Sequence, residues 1–300
     1  MDSESLHYSL DLAAGNGLTL SSEQRAALQT SLVILKRNYK FSRVLFWGKI
    51  MGIKCDYFIA QGVEDDEMKN KKSLYSLNCM DWHLLPPATE SMIADVALAA
   101  QGRFTGDPSH EYEHTETRIK GEGDDATEEE VTVKVNEASR LATAVSNIDK
   151  DASVVPRGAF TKSPSGKVQT NRSFGGLDPI EAAKLRNYLH FREPVNLKKK
   201  SILEMSHLNP AIDFLDPLSE DIPKGGKTTS PLSRRARGEQ VHLDASNRSW
   251  SLQLERGSTM CVLRSLLWLG LTFFHIPQTP QHGYIYMGDG LMNLDLPFML

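Results

Sequence analysis

The sequence predicts an α+β protein: a mostly antiparallel sheet with N-terminal and intervening helices, plus one disordered insertion. Three observations carry the prediction. Apolar and polar residues alternate in short segments towards both ends of the chain. A helical apolar stripe occupies the first 40 residues. Gly and Pro turns separate the strand-like segments, and no internal repeat is visible, which excludes solenoids and propellers. The whole chain, 1–300, reads as a single domain.

Residues 1–40 are the helical N-terminal part. Ser21 and Gln24 fit a capping box, and Leu28, Leu32 and Leu35 follow at i, i+4 and i+7, so one helix face meets a core. The pattern changes at Arg43. RVLFWGKIM sets Val44, Phe46 and Ile50 on alternate positions, and IKCDYFIAQ does the same with Ile53, Cys55, Tyr57 and Ile59. With Gly52 between them they predict a hairpin. SLYSLNC, with Tyr75, Leu77 and Cys79 on one face, predicts a third strand. Pro86-Pro87 ends this section, and Thr89 caps a short helix carrying Met92, Ile93 and Val96, closed by Gly102.

From Gly102 to Glu130 apolar residues are scarce, and GEGDDATEEE reads as a solvated acidic loop. Order returns with the strand VTVKV and a helix from Glu137 to Lys150. Asp178-Pro179 opens another helix as N-cap and N1, with Ala182, Leu185 and Leu189 on one face. Residues 226–248 almost lack apolar side chains and read as the disordered surface insertion. The strand-like segments SWSLQLE, MCVLRSLLW, GLTFFHI and GYIYMG follow.

Apolar residues are 40% of the chain, charged residues 24%, and the formal net charge is −4. These values fit a globular protein and give no field to draw in a polyanion, so no nucleic-acid partner is expected. The three cysteines, Cys55, Cys79 and Cys261, are widely spaced in apolar or aromatic stretches, which predicts reduced, packed thiols. MDSESLHYSLDL lacks the basic and then apolar run of a signal peptide. The longest apolar run, Met260–Ile276, is interrupted by Arg264 and His275 and is short for a bilayer. A cytosolic or cytoskeletal protein without a membrane partner is expected.

One motif points to chemistry. His110-Glu111-Tyr112-Glu113-His114 matches H-E-x-x-H, which on a helix sets two histidines one turn apart for zinc, with the glutamate as general base. That is the basis of an alternative reading as a zinc-dependent hydrolase. The following EYEHTETRIKGEGDD lacks the apolar stripe that would bury such a helix, and a catalytic zinc also needs a third ligand and a dry cleft. No G-x-S-x-G elbow, phosphate loop or dinucleotide fingerprint occurs. The expectation is no catalytic residue, no metal ligand and no cofactor.

The basic runs Lys198-Lys199-Lys200 and Arg234-Arg235-Ala236-Arg237 read as solvated loops, because neither is interleaved with aromatics. Trp47, Trp82, Trp250, Trp268, Phe273 and Phe274 read as core. Both faces of RVLFWGKIM and VLRSLLWLGLTFF are apolar, as in strands covered on two sides, and a partner subunit is one source of the second cover. The tail alternates Leu294, Leu296, Phe298 and Leu300, which predicts a closing strand docked on its own sheet or on a neighbour.

Several segments taken together resemble the radial spoke head protein 9 family. They are RVLFWGKI, LYSLNCMDWHLLPPAT, GRFTGDPSHEYEHTE, VVPRGAF, YLHFREPV, IPKG, SWSLQLERG, VLRSLLWLGLTFFH and NLDLPFML, in order along nearly the whole chain. Three features depart from the family pattern. Residues from about Gly226 to Arg248 are extra, Leu269 stands where the family tends to have Pro, and His110 stands where it commonly has an aromatic. The resemblance implies a non-enzymatic structural subunit of the axonemal radial spoke head in motile cilia and flagella. It implies other spoke head proteins as partners, of the 4/6 type and with MORN repeats, and functional contact with the central-pair apparatus. Such a role needs a rigid unit with large interfaces.

Overall fold

In the computed structural model, which describes residues 1–13, 19–120, 127–221, 249–255, 257 and 259–296 (backbone alone at 116–120 and 127–131), the N-terminal stripe forms two helices. These are α1 (Leu6–Ala13) and α2 (Ser22–Asn38). Ser21 and Gln24 close the predicted capping box on α2, and Leu28, Leu32 and Leu35 are all buried. Strands β1 (Arg43–Ile50), β2 (Tyr57–Val63), β3 (Lys72–Ser76) and β4 (His83–Leu84) follow, then helix α3 (Glu90–Ala99), capped by Thr89. A hairpin of β5 (Glu111–Lys120) and β6 (Thr127–Asn136) leads into α4 (Glu137–Ala152). The next part is built from β7 (Val154–Pro156), β8 (Phe160–Lys162), β9 (Val168–Thr170), α5 (Pro179–Ala182), β10 (Tyr188–His190) and α6 (Ile202–Ser206). Four strands close the described chain: β11 (Trp250–Glu255), β12 (Met260–Ser265), β13 (Leu271–His275) and β14 (His282–Gly288).

The first four and last four strands form one eight-stranded sheet in the order β11-β12-β13-β14-β1-β2-β3-β4. Seven residues of β2 are buried in succession, because the sheet is covered on both faces. One face carries α1 and α2, with Leu10, Leu28 and Leu32 packed on Phe46, Phe58 and Ile285. The other carries α4, with Leu141, Val145 and Ile148 packed among Trp47, Ile59, Trp268 and Phe273. The second cover therefore comes from this chain's own helices, and no partner subunit is needed to supply it.

All neighbouring strands pair antiparallel except β1 and β14, which meet in parallel at the sheet centre through Gly48–Ile50 and Tyr286–Gly288. Two antiparallel meanders, one from each end of the chain, are thus joined side by side. Gly48 makes the junction possible. Its φ is +144°, the β1–β2 register shifts between Phe46 and Gly48, and a Cβ there would lie 1.9 Å from the Tyr286 carbonyl oxygen.

Several expectations are corrected. The predicted second strand starts only at Tyr57. The Ile53 and Lys54 N–H groups donate instead to the Phe104 and Thr105 carbonyls, and Gly106 packs on the Cys55 backbone. Cys55 is consequently exposed, while Cys79 and Cys261 are buried. The predicted third strand ends at Ser76, and the chain bends away there, so Leu77 is exposed while Leu74 on the strand and Cys79 in the turn after it are buried. The helix opened by Asp178-Pro179 lasts one turn. The Asn187 amide donates at 2.8 Å to the Glu181 carbonyl, the backbone then passes into β10, and Leu189 pairs with Val155.

The acidic stretch is also more ordered than a loop where it is described. Thr127–Glu130 lie on β6, paired with Lys120–Thr117, and 121–126 fall outside the described residues. The tail forms a turn over 294–296, with Leu296 buried and Leu294 exposed, while 297–300 fall outside the described residues.

The insertion read at 226–248 also lies outside the described residues, but its flanks meet. The Trp250 indole donates to Asp221 at 2.7 Å. With Asp221 and Trp250 held together, the closure entropy of the sequence between them changes only slowly with its length. Excising 226–248 is expected to leave the melting temperature within about 2 °C of the parent by scanning calorimetry.

Candidate assembly surface

Several buried polar groups hold elements together. Indole N–H groups are anchored to carboxylates: Trp47 to Asp149 at 2.7 Å, Trp250 to Asp221 at 2.7 Å and Trp268 to Asp151 at 3.2 Å. Asp149 also accepts from the Gln61 amide at 2.5 Å. Burial raises its pKa, partly offset by the nearby Lys71 ammonium and these donors. It bridges α4 to the sheet through Trp47 and Gln61.

Glu137, at the first position of α4, is the most heavily used of these groups. Its side chain is fully buried and accepts from the Tyr57 hydroxyl at 2.6 Å, the Tyr112 hydroxyl at 2.6 Å, the Thr105 hydroxyl at 2.6 Å and the Thr105 and Gly106 N–H groups at 2.8 and 2.7 Å. Burial alone would raise its pKa, but the Thr105, Tyr112 and Tyr57 donors win and lower it to about 2. Arg140 completes the knot. It donates to the Tyr112 hydroxyl at 2.8 Å and stacks over Phe104, 4.2 Å from the ring centre. A carboxylate saturated by five donors is not a general base. Its effect is to lock α4, the β5 start and the 104–106 loop onto β2.

The thiols are equally unsuited to nucleophilic chemistry where they are buried. Burial pushes Cys79 up to about 12 and Cys261 up to about 11, and both stay protonated at neutral pH.

His110 and His114 do not sit on a helix. His110 precedes β5 and His114 lies within it. At ~3.3 Å per residue in a strand, four residues set them about 13 Å apart, whereas zinc holds imidazole nitrogens at about 2.1 Å. His110 packs edge-on against Tyr112, 4.7 Å between ring centres, and Glu113 pairs with Lys134. No group of three His, Cys, Asp or Glu side chains has metal-binding geometry among the described residues. Replacing both histidines by alanine is expected to shift the melting temperature by less than about 2 °C. Elemental analysis of the dialysed parent protein is expected to show well under one zinc per chain.

The surface feature that calls for a role is a groove of ≈630 Å³ between α2 and the turn after β3, lined by Ala27, Ile34, Tyr39, Met80, Trp82 and His83. Its walls are fixed. The Asn78 side-chain Oδ1 accepts from the Met80 and Asp81 N–H groups, both at 2.9 Å. The Ser31 hydroxyl donates to the Cys79 carbonyl at 2.6 Å and accepts from the Trp82 indole at 3.1 Å. Cys79 adopts a left-handed φ of +64° to make the turn. Inside this rigid frame apolar side chains face solvent: Ile34 is 53% and Met80 61% exposed. Beside it β4 forms the edge of the eight-stranded sheet, with Leu84 exposed. A rigid apolar groove next to a strand edge is the geometry of a protein-docking surface. Sequence reasoning placed α2 by its inner stripe and missed this outer one. The available signal was Val33-Ile34, two adjacent aliphatics of which neither belongs to the Leu28–Leu32–Leu35 face.

No helix among the described residues is long and apolar enough to cross a membrane. A family model described as "Radial spokehead-like protein" matches residues 5–173, which include the groove and the Glu137 knot. Full-length relatives include a protein named "Radial spoke head protein 9 homolog" in Danio rerio, 81% identical over 300 residues with all of both chains covered. Proteins of the same name in Bos taurus and Homo sapiens are 52% and 50% identical, again with all of both chains covered.

Proposed function

The chain belongs to the radial spokehead-like protein family, and we propose that it is a non-enzymatic structural subunit of the axonemal radial spoke head. In this reading it supports spoke assembly and the beat of motile cilia or flagella, and it resides in the ciliary axoneme. Its partners are the other spoke head proteins, of the 4/6 type and with MORN repeats, and the assembled head makes functional contact with the central-pair apparatus. The observation that carries the reading is identity of 50–81% over the whole length to proteins named as radial spoke head protein 9 homologs. The structure supports it physically. Both faces of the sheet are covered from within, buried carboxylates pin helices to strands, and apolar surface is left over at a rigid groove.

The test is removal of the gene from cells that make motile cilia. The expected outcome is cilia that assemble but beat abnormally, with radial spokes lacking head density in electron cryotomograms. Complete spokes and a normal beat would contradict the proposal.

A further inference from the structure

Between Val195 and Ala211 the chain forms an arm held firmly at its base. The buried Asp216 carboxylate accepts from the Val195, Asn196 and Leu197 N–H groups at 2.6, 3.1 and 2.8 Å. At the other end Arg157 makes a two-point ion pair with Asp213, and the Lys162 N–H donates to the Ala211 carbonyl at 3.0 Å. The tip is ordered too. Ser201 and Glu204 form a full capping box on α6.

This braced arm presents aliphatic side chains to water. Every residue from Ser201 to His207 is exposed, and Ile202 is 90%, Leu203 74% and Met205 41% exposed. Beside them Lys198 and Lys199 are exposed and have no ion pair among the described residues, whereas Lys200 is paired with Glu220 at 2.8 Å. Glu204 is occupied by its cap, so the unpaired charge next to the aliphatic cluster is positive. Three clustered aliphatics on an ordered element, unlike scattered surface ones, mark a contact site.

We propose that this arm docks an acidic segment of another protein subunit, one that sets aliphatic or aromatic anchors on Ile202, Leu203 and Met205 and carboxylates on Lys198 and Lys199. The inference rests on the reading of the chain as an assembled subunit, and it concerns a surface separate from the α2 groove. Charge selects the partner. A second copy placed isologously would set lysines against lysines, and a five-residue helix preceded by two lysines without an ion pair among the described residues is far smaller than the amphipathic helices that hold proteins on membranes.

The experiment uses the native assembly purified through the tagged full-length chain. Carbodiimide, which couples an amine directly to a carboxylate, is expected to join Lys198 or Lys199 to an Asp or Glu of a different polypeptide. Amine acetylation of both lysines is expected to be suppressed about tenfold or more relative to the isolated chain, as for groups buried at an interface. The Ile202→Ser/Leu203→Ser variant, which keeps both reactive amines, is expected to abolish the cross-link, and Lys198→Glu/Lys199→Glu is expected to lower recovery of the cross-linked polypeptide with the tagged chain about tenfold. Equal acetylation in the assembly and in the isolated chain overturns the inference. So does a cross-link only to a second copy of this chain, or co-flotation of the isolated chain with phosphatidylserine vesicles that the lysine variant abolishes. An assembly that contains no spoke proteins would defeat the proposed function and leave the arm test readable on whatever polypeptides are present.

Discussion

Replacing Glu137 with alanine is expected to destabilise the fold by about 4 kcal/mol, because it leaves two tyrosine hydroxyls, a threonine hydroxyl and two backbone N–H groups without their shared acceptor. Denaturant titration of the purified variant measures this. Glu137→Gln keeps the shape but places an amide NH₂ among donors, and about 2–3 kcal/mol of loss is expected. The pH dependence gives an independent check. The carboxyl has its ordinary value of 4.5 in the unfolded chain and about 2 in the folded protein. A depressed folded value contributes stability that is complete above 4.5 and lost as pH falls from there through 2. The difference corresponds to about 3 kcal/mol. The gap between parent and Glu137→Gln should therefore narrow steadily below pH 4.5. A gap that stays constant down to pH 2.5 would show that the charge of Glu137 does not stabilise the fold.

Gly48→Ala is expected to have an effect at least as large. The methyl group would meet the Tyr286 carbonyl oxygen at 1.9 Å, and the φ of +144° is strained for any L side chain. Neither strand can yield, since β1 is paired on its other side to β2 and β14 to β13. The parallel contact joining the two meanders would have to open, at a cost of about 4 kcal/mol or more. The expected result is loss of the soluble, cooperatively unfolding protein. Gly102→Ala, also at positive φ but with nothing within 4 Å of its added Cβ, is the matched control and should cost only about 1–2 kcal/mol of backbone strain. Equal behaviour of the two would contradict the role given to the β1–β14 junction.

What the sequence made legible was local. The Ser21 cap, the Leu28–Leu32–Leu35 stripe and the Thr89 and Asp178-Pro179 helix starts depend on residues within one turn of each other, and each stands as expected. The strand segments at both ends were visible in their alternation, but not the parallel seam, because Gly48 and Tyr286 are brought together only by the closed sheet. Cys55 was misread as packed because alternation continues through it. The backbone is diverted there by Phe104, Thr105 and Gly106, half a hundred positions away.

In the β5–β6 hairpin only the VTVKV part of β6 was legible, and β5 escaped for the opposite reason. Its described side chains are mostly polar and exposed, so pairing rather than burial holds it, and periodicity has little to report. Glu137 looked like an ordinary acidic residue at a helix start. Its partners Tyr57, Thr105 and Tyr112 come from three separate parts of the chain. The groove was hidden in the same way, since Ile34 and Met80 become neighbours only once Trp82 is tied to Ser31.

Affinity isolation of the tagged full-length chain from an axonemal extract under gentle conditions, with the co-eluting proteins identified and quantified, tests the central claim most directly. Radial spoke head proteins recovered in near-equal amounts with the tagged chain are the predicted result. A chain that elutes alone, or with cytosolic proteins unrelated to the spoke, would contradict it.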